Sequence, residues 1–150
     1  MSPEDLKMLA RSREPSFEGK PISILLLEDN PADASLALQT LKAAGLQLTS
    51  DVVRTSPAFM EAVRSKPYHV ILCDYSLPGW NGLDALRWVR SSAFKMPFIY
   101  VSGTLDEEVA VECIKEGATD YVSKGNLERL PHSVHRALQE EKLRREKDLV

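Results

Sequence analysis

Five side chains suited to chemistry stand where apolar runs end. ISILLL (22–27) runs into Glu28-Asp29, VILC (70–73) into Asp74, PFIYVS (97–102) closes on Ser102, and DYVS (120–123) leads into Lys124. In an open parallel sheet, ligand sites lie outside the carboxyl ends of the strands. Adjacent strands would therefore deliver three carboxylates, a hydroxyl and an ammonium to one rim. Carboxylates crowded together repel unless a cation or a proton relieves them. Magnesium suits such a set, because it is hard, prefers oxygen, takes few protein carboxylates and keeps several waters. No histidine or thiolate cluster accompanies them, which disfavours zinc and copper. A lysine and a hydroxyl beside the same cation suit a ligand rich in anionic oxygens, phosphoryl above all. Phosphoryl transfer needs mostly positioning and charge neutralisation. A carboxylate can itself be the nucleophile, giving an aspartyl phosphate.

The elements that must position this set follow a repeated pattern. Residues 22–27 are almost continuously apolar and rich in branched side chains, as in a strand buried on both faces. Asn30-Pro31 then reads as an N-cap and first helical residue, Ala34, Leu38 and Leu41 recur at helical spacing, and Gly45 closes the helix. Residues 47–54 form a weaker strand, and Ser56-Pro57 opens a helix carrying Phe59, Met60 and Val63. Val70 to Asp74 is the third predicted strand, followed by a turn and a helix around Leu83, Leu86 and Val89. Residues 97–102 form the fourth, with a helix marked by Val109, Cys113 and Ile114 and capped by Gly117. Residues 120–123 form the fifth, and a helix follows from about Leu127. Five strands alternating with five helices imply an α/β doubly wound (βα)5 sandwich of three layers, with a parallel sheet covered on both faces. The alternation itself leaves strand order open; 2-1-3-4-5 is one common solution.

These residues resemble the receiver domains of two-component response regulators, over roughly residues 21–138. The resemblance rests on LLLEDNPAD with its acidic pair, CDYSLPGWNG with proline four and glycine eight after the aspartate, YVSGT, and DYVSKG, each on the expected strand and in the expected order. It implies a flavodoxin-like (CheY-like) fold with sheet order 2-1-3-4-5. It implies that Asp74 accepts the phosphoryl group, with Asp29 and Asp74 contacting Mg2+, Glu28 acting through a bound water and the Ser76 backbone carbonyl completing the protein's share. Ser102 would hydrogen-bond one phosphoryl oxygen and Lys124 would pair with another, while Tyr121 matches the switch aromatic whose rotamer follows the serine. The donor would be a phosphohistidine on a sensor histidine kinase or histidine phosphotransfer protein. The output would pass through the face of helix 4, strand 5 and helix 5 to a downstream protein or an output domain outside these residues. Two features depart from or tune the pattern. Gly125 stands where many receivers carry proline after the lysine, and Ser76 and Thr104 occupy positions that set phosphoryl lifetime.

Composition sets the remaining expectations. The 150 residues suffice for one ordinary domain, read as a polar leader (1–20), the receiver (21–138) and a charged helical extension (139–150). A net charge of −3 without a basic cluster argues against direct nucleic-acid binding. No apolar run has membrane-spanning length and no secretory signal is evident, so a cytoplasmic protein is expected. Cys73 and Cys113 read as small buried hydrophobes. Asp33 reads as a first-turn acid complementing the helix dipole, with a lean toward the metal as the alternative. His132 and His135 read as ordinary helix residues and His69 as the start of a strand, whereas Trp80 is either a lid or a partner contact. QEEKLRREKDLV reads as a solvated tail, with a dimer contact or connector through Leu138 and Leu143 as the alternative. Two other functions compete with the receiver: a magnesium-dependent phosphatase or phosphotransferase using Asp74, and a phosphate-independent interaction module. The phosphatase would need a general acid where Ser76 stands, and a substrate cap.

Overall fold

The computed structural model describes residues 21–148 except 93, 104 and 105, together with Pro3. Each apolar run becomes a strand, and each intervening periodic segment becomes a helix. The elements are β1 (Ile22–Leu27), α1 (Pro31–Ala43), β2 (Leu48–Val53), α2 (Ser56–Ser65), β3 (Val70–Cys73), β4 (Ser76–Leu77), β5 (Trp80–Asn81), α3 (Gly82–Ser91), β6 (Phe98–Ser102), α4 (Glu107–Lys115), β7 (Asp120–Ser123), a 3-10 helix (Lys124–Arg129) and α5 (Leu130–Asp148). The five long strands form one parallel sheet in the order β2-β1-β3-β6-β7, which is the expected 2-1-3-4-5.

Alternation along the strands divides the core into two layers. Ile22, Ile24, Leu26, Val70, Leu72, Ile99 and Val101 face α1 and α5, where they meet Ala37, Leu41, Leu130, Val134 and Leu138. Leu25, Leu27, Ile71, Cys73, Phe98 and Tyr100 face the other way, against Phe59, Val63, Leu86, Val89 and Cys113 on α2, α3 and α4. Full burial of one such aliphatic side chain stabilises by about 1.5–3 kcal/mol. A central strand held on both sides is therefore a stiff support for whatever follows its last residue. Both cysteines are buried and free, as their spacing suggests.

Local polar groups fix the helix starts. Asn30 Oδ1 accepts from Ala32 N (2.9 Å) and Asp33 N (3.2 Å), and Asn81 and Asp84 form a reciprocal capping box on α3. Gly45 and Gly117, with φ of 91° and 110°, turn the chain out of α1 and α4 in the left-handed region that glycine tolerates.

The structure corrects four details. The third strand ends at Cys73, although Asp74 N still donates to Leu27 O (2.9 Å). The turn after it contains a short antiparallel hairpin of β4 and β5, with Gly79 (φ 68°) at its tip. The last α-helix begins at Leu130 rather than Leu127, because a 3-10 helix with a non-helical Asn126 intervenes. Leu138, named for an alternative seam with Leu143, packs in the core instead, whereas Leu143 is 64% exposed. Thr104 and the leader before Pro21 lie outside the described residues, apart from Pro3. Among the described residues, no helix is long and apolar enough to cross a membrane.

Candidate functional site

Parallel register brings the strand ends together. Leu27 pairs with Cys73 and Cys73 with Tyr100, so Glu28-Asp29 and Asp74 leave neighbouring strands at one level. Ser102 pairs with Ser123, which places Lys124 immediately past the same edge. Glu28, Asp29 and Asp74 each offer a carboxylate oxygen, all within 4.8 Å of one another. Glu28 is 3% exposed and Asp74 7%. Burial, with the nearby Asp74 carboxylate adding to it, raises Glu28 to about 7 even though Lys124 opposes the shift. A hard dication with oxygen preference fits this donor set, since it would relieve the repulsion that the single lysine leaves uncompensated.

Lys124 is the hub of the cluster. Its Nζ lies 2.6 Å from Glu28 Oε1, 2.8 Å from Asp33 Oδ2 and 3.1 Å from Asp74 Oδ2. Burial alone would lower its pKa, but hydrogen bonds to Asp33, Glu28 and Asp74 hold it above the ordinary value. For Asp33 the sequence offered a first-turn role or a lean toward the metal. Asp33 occupies the first turn of α1, as expected, yet it also joins the site. The available signal was its position on the helix that opens directly after the acidic pair, at the same end of the sheet as Lys124.

The loop after Asp74 is tied down by backbone contacts. Asp74 O accepts from Cys73 Sγ (3.0 Å), and Asp74 Oδ1 accepts weakly from Ser76 N (3.4 Å). Gly82 N donates to Tyr75 O (2.7 Å), and Tyr100 OH donates to Gly82 O (2.7 Å). A Cβ at Gly82 would lie 2.6 Å from the Tyr100 ring and 2.8 Å from Asp74 O, so only glycine allows α3 to approach the acceptor loop this closely. Asp29, Tyr75, Ser76, Trp80 and Asp84 are among the residues lining an open cavity of about 600 Å³ beside the acids. Trp80 lines that cavity, and its ring packs edge-on against buried Phe59 with centroids 5.8 Å apart.

The other predicted residues are placed as follows. Ser102 is 2% exposed at the end of β6, on the rim with Lys124. Tyr121 is half-buried on β7 and lines an apolar groove of about 420 Å³ with Val111 and Ile114 of α4. Gly125 uses the N–H that proline lacks, donating to Ser123 Oγ (3.1 Å) to start the 3-10 helix. His132 and His135 are exposed on α5 and are not part of the acidic cluster. His69 does more than open a strand: its Nδ1 accepts from Ser23 N (2.8 Å), joining β1 to β3 at their entry.

The structure is thus a doubly wound parallel sheet of flavodoxin-like topology with acids, a hydroxyl and a lysine gathered at its carboxyl edge. The family model for the response regulator receiver domain matches residues 24–135, and the chain belongs to that family. Such domains serve as the signalling inputs of two-component systems and are not classical enzymes. The cell cycle transcriptional regulator CtrA of Caulobacter vibrioides is 30% identical over 102 residues, 67% of this chain and 43% of that protein. The C4-dicarboxylate transport transcriptional regulatory protein DctD of Pseudomonas aeruginosa is 31% identical over 123 residues, 80% of this chain and 26% of that protein. The chain thus spans less than half the length of these curated relatives. Among solved structures, NtrX from Brucella abortus superimposes with a TM-score of 0.77 at 26% identity, covering 87% of this chain and 30% of that one. A Francisella response regulator receiver domain shares the fold with a TM-score of 0.72 at 21% identity, covering 81% and 99%.

Proposed function

We propose that the chain is a phosphorylatable receiver that takes a phosphoryl group onto Asp74 from a phosphohistidine on a histidine kinase or phosphotransfer protein. The observation that carries this reading is the convergence of Glu28, Asp29 and Asp74 within 4.8 Å, with Lys124 shared among Asp74, Glu28 and Asp33. In the transfer, the phosphorus–nitrogen bond of the donor breaks as a bond to an Asp74 carboxylate oxygen forms. The departing imidazole takes a proton from solvent. Mg2+ held by Glu28, Asp29, Asp74 and the Ser76 carbonyl would supply charge neutralisation for the phosphoryl oxygens. Lys124 and the Ser102 hydroxyl would bind two of those oxygens. The stiff central strand fixes the acceptor, and the turn at Pro78-Gly79 leaves its approach open.

In this reading Ser102 and Tyr121 report the modification to the face of α4, β7 and α5, shifting a pre-existing equilibrium there. The groove beside Tyr121 is the part of that face fitted to a downstream protein, an output domain or a second copy. In this reading residues 21–138 form the receiver unit and 139–150 an extension, of which the part up to Asp148 continues α5. The test is to incubate the protein with Mg2+ and acetyl phosphate, digest it and map the modified residue. Phosphoryl on Asp74, and none on the Asp74→Asn variant, is expected. An unmodified wild type or a labelled Asp74→Asn protein sinks the proposal.

A further inference from the structure

Lys124 directs its ammonium at three carboxylates, and these three differ in one respect. Glu28 and Asp74 belong to the cluster that suits a divalent cation, whereas Asp33 does not. An ammonium 2.6 Å from Glu28 and 3.1 Å from Asp74 is an internal cation already lodged among the prospective ligands. A divalent ion held by the same Glu28 and Asp74 carboxylates would compete with that ammonium for their negative charge. Leaving them without another partner would cost the lysine, whose side chain is only 24% exposed, its counter-charge. Asp33, 2.8 Å away and 37% exposed, lies on the side from which the lysine can withdraw while keeping one charged partner. Its backbone is held at the start of α1, where Asn30 Oδ1 accepts from the Asp33 N–H at 3.2 Å.

We infer that Asp33 is a positioning residue for the acceptor site: it is the anchor onto which Lys124 retires when a divalent cation enters. This rests on the receiver reading above and adds a residue to it. Anchored on Asp33, Lys124 stops competing for Glu28 and Asp74 yet stays within reach of a phosphoryl group on Asp74. Without the Asp33 charge, the lysine has only Glu28 and Asp74 to neutralise it and remains wedged between them. Asp33 therefore acts through Lys124, and its helix-start role on α1 is a separate property.

The experiment is a double-mutant cycle on Mg2+ affinity by titration calorimetry, using wild type, Asp33→Asn, Lys124→Met and the double variant. Asparagine keeps the size and first-turn position of Asp33, and thermal melts check that all four fold. Asp33→Asn is expected to weaken Mg2+ binding by roughly fivefold when Lys124 is present, and by less than about twofold in the Lys124→Met background. Asp33→Glu should restore most of the lost affinity. Equal factors in both backgrounds would make Asp33 a through-space charge, and no change in either would make it a helix-start residue only; both results overturn the inference. A wild type that binds no Mg2+ overturns the metal reading itself, and the anchor with it, which separates the two failures.

Discussion

Asp120 begins β7 and Lys124 follows its end, and each side chain is the centre of an ionic cluster. At the entry end, Asp120 accepts from Ser133 Oγ (2.7 Å), Arg129 Nη1 (3.2 Å) and the Tyr121 N–H (2.8 Å), while Arg129 also donates to the Tyr121 carbonyl. One acid meets one base, and the remaining lone pairs find neutral donors. Burial alone would raise the Asp120 carboxyl, but these hydrogen bonds hold it below the usual value. At the exit end, one lysine serves three acids, with a fourth, Asp29, beside them, and Glu28 is raised to about 7. The same residue types thus build a satisfied joint at one end and an excess of negative charge at the other. Satisfied buried ions hold a fold together; an uncompensated excess marks the place kept ready for a ligand.

Substitutions should separate the two ends. Asp120→Ala leaves Arg129 and Ser133 without their acceptor and is expected to cost about 2 kcal/mol in urea unfolding, with Mg2+ affinity unchanged. Because the folded-state pKa of Asp120 is depressed, its contribution is present above the unfolded carboxyl value and is lost as pH falls through the folded one. The variant should accordingly show a flatter loss of stability in acid than the wild type. Glu28→Gln is the opposite case. It should leave stability without divalent ions within about 0.5 kcal/mol, because it removes a crowded buried charge, yet weaken Mg2+ binding about tenfold. A large loss of stability here, or none for Asp120→Ala, would erase the contrast between the clusters.

His69 belongs with the satisfied set and gives the smallest effect. Burial first, and the Arg145 charge second, hold its pKa below the ordinary value, in keeping with a neutral ring whose Nδ1 accepts from Ser23 N. A depressed folded pKa means that its stabilisation is complete above the unfolded value near 6.5 and is lost as pH falls below it. Between pH 7.5 and 5.5 the wild type should lose more stability than His69→Asn, read from urea midpoints with m unchanged. Parallel curves for the two proteins would remove His69 from the account.

The sequence displays some of this and conceals the rest, for reasons that differ by residue. ISILLL, VILC and FIYVS are legible as buried strands because nothing but a two-sided core tolerates such runs, and Glu28, Asp74 and Ser102 follow from where those runs stop. Lys124 is legible only through its place after the fifth strand. The β4–β5 hairpin is too short to carry a period, and the 3-10 turn hides behind a helical pattern that starts near Leu127. Asp33–Lys124 and Asp120–Ser133 depend on packing between elements distant in sequence, so no local spacing announces them. For Asp33 the sequence allowed both a first-turn role and a lean toward the metal, but not its pairing with Lys124.

The excess of negative charge at the exit end is tested most directly by melting temperature as a function of Mg2+, starting from chelated protein. Preferential binding to the folded state stabilises by about 1.4 kcal/mol when the free ion reaches about ten times its dissociation constant. Wild type and Asp120→Ala should gain melting temperature in parallel as Mg2+ rises, while Asp29→Asn should respond far less. A wild type whose melting is indifferent to Mg2+, or an Asp29→Asn protein that gains as much, would contradict the account.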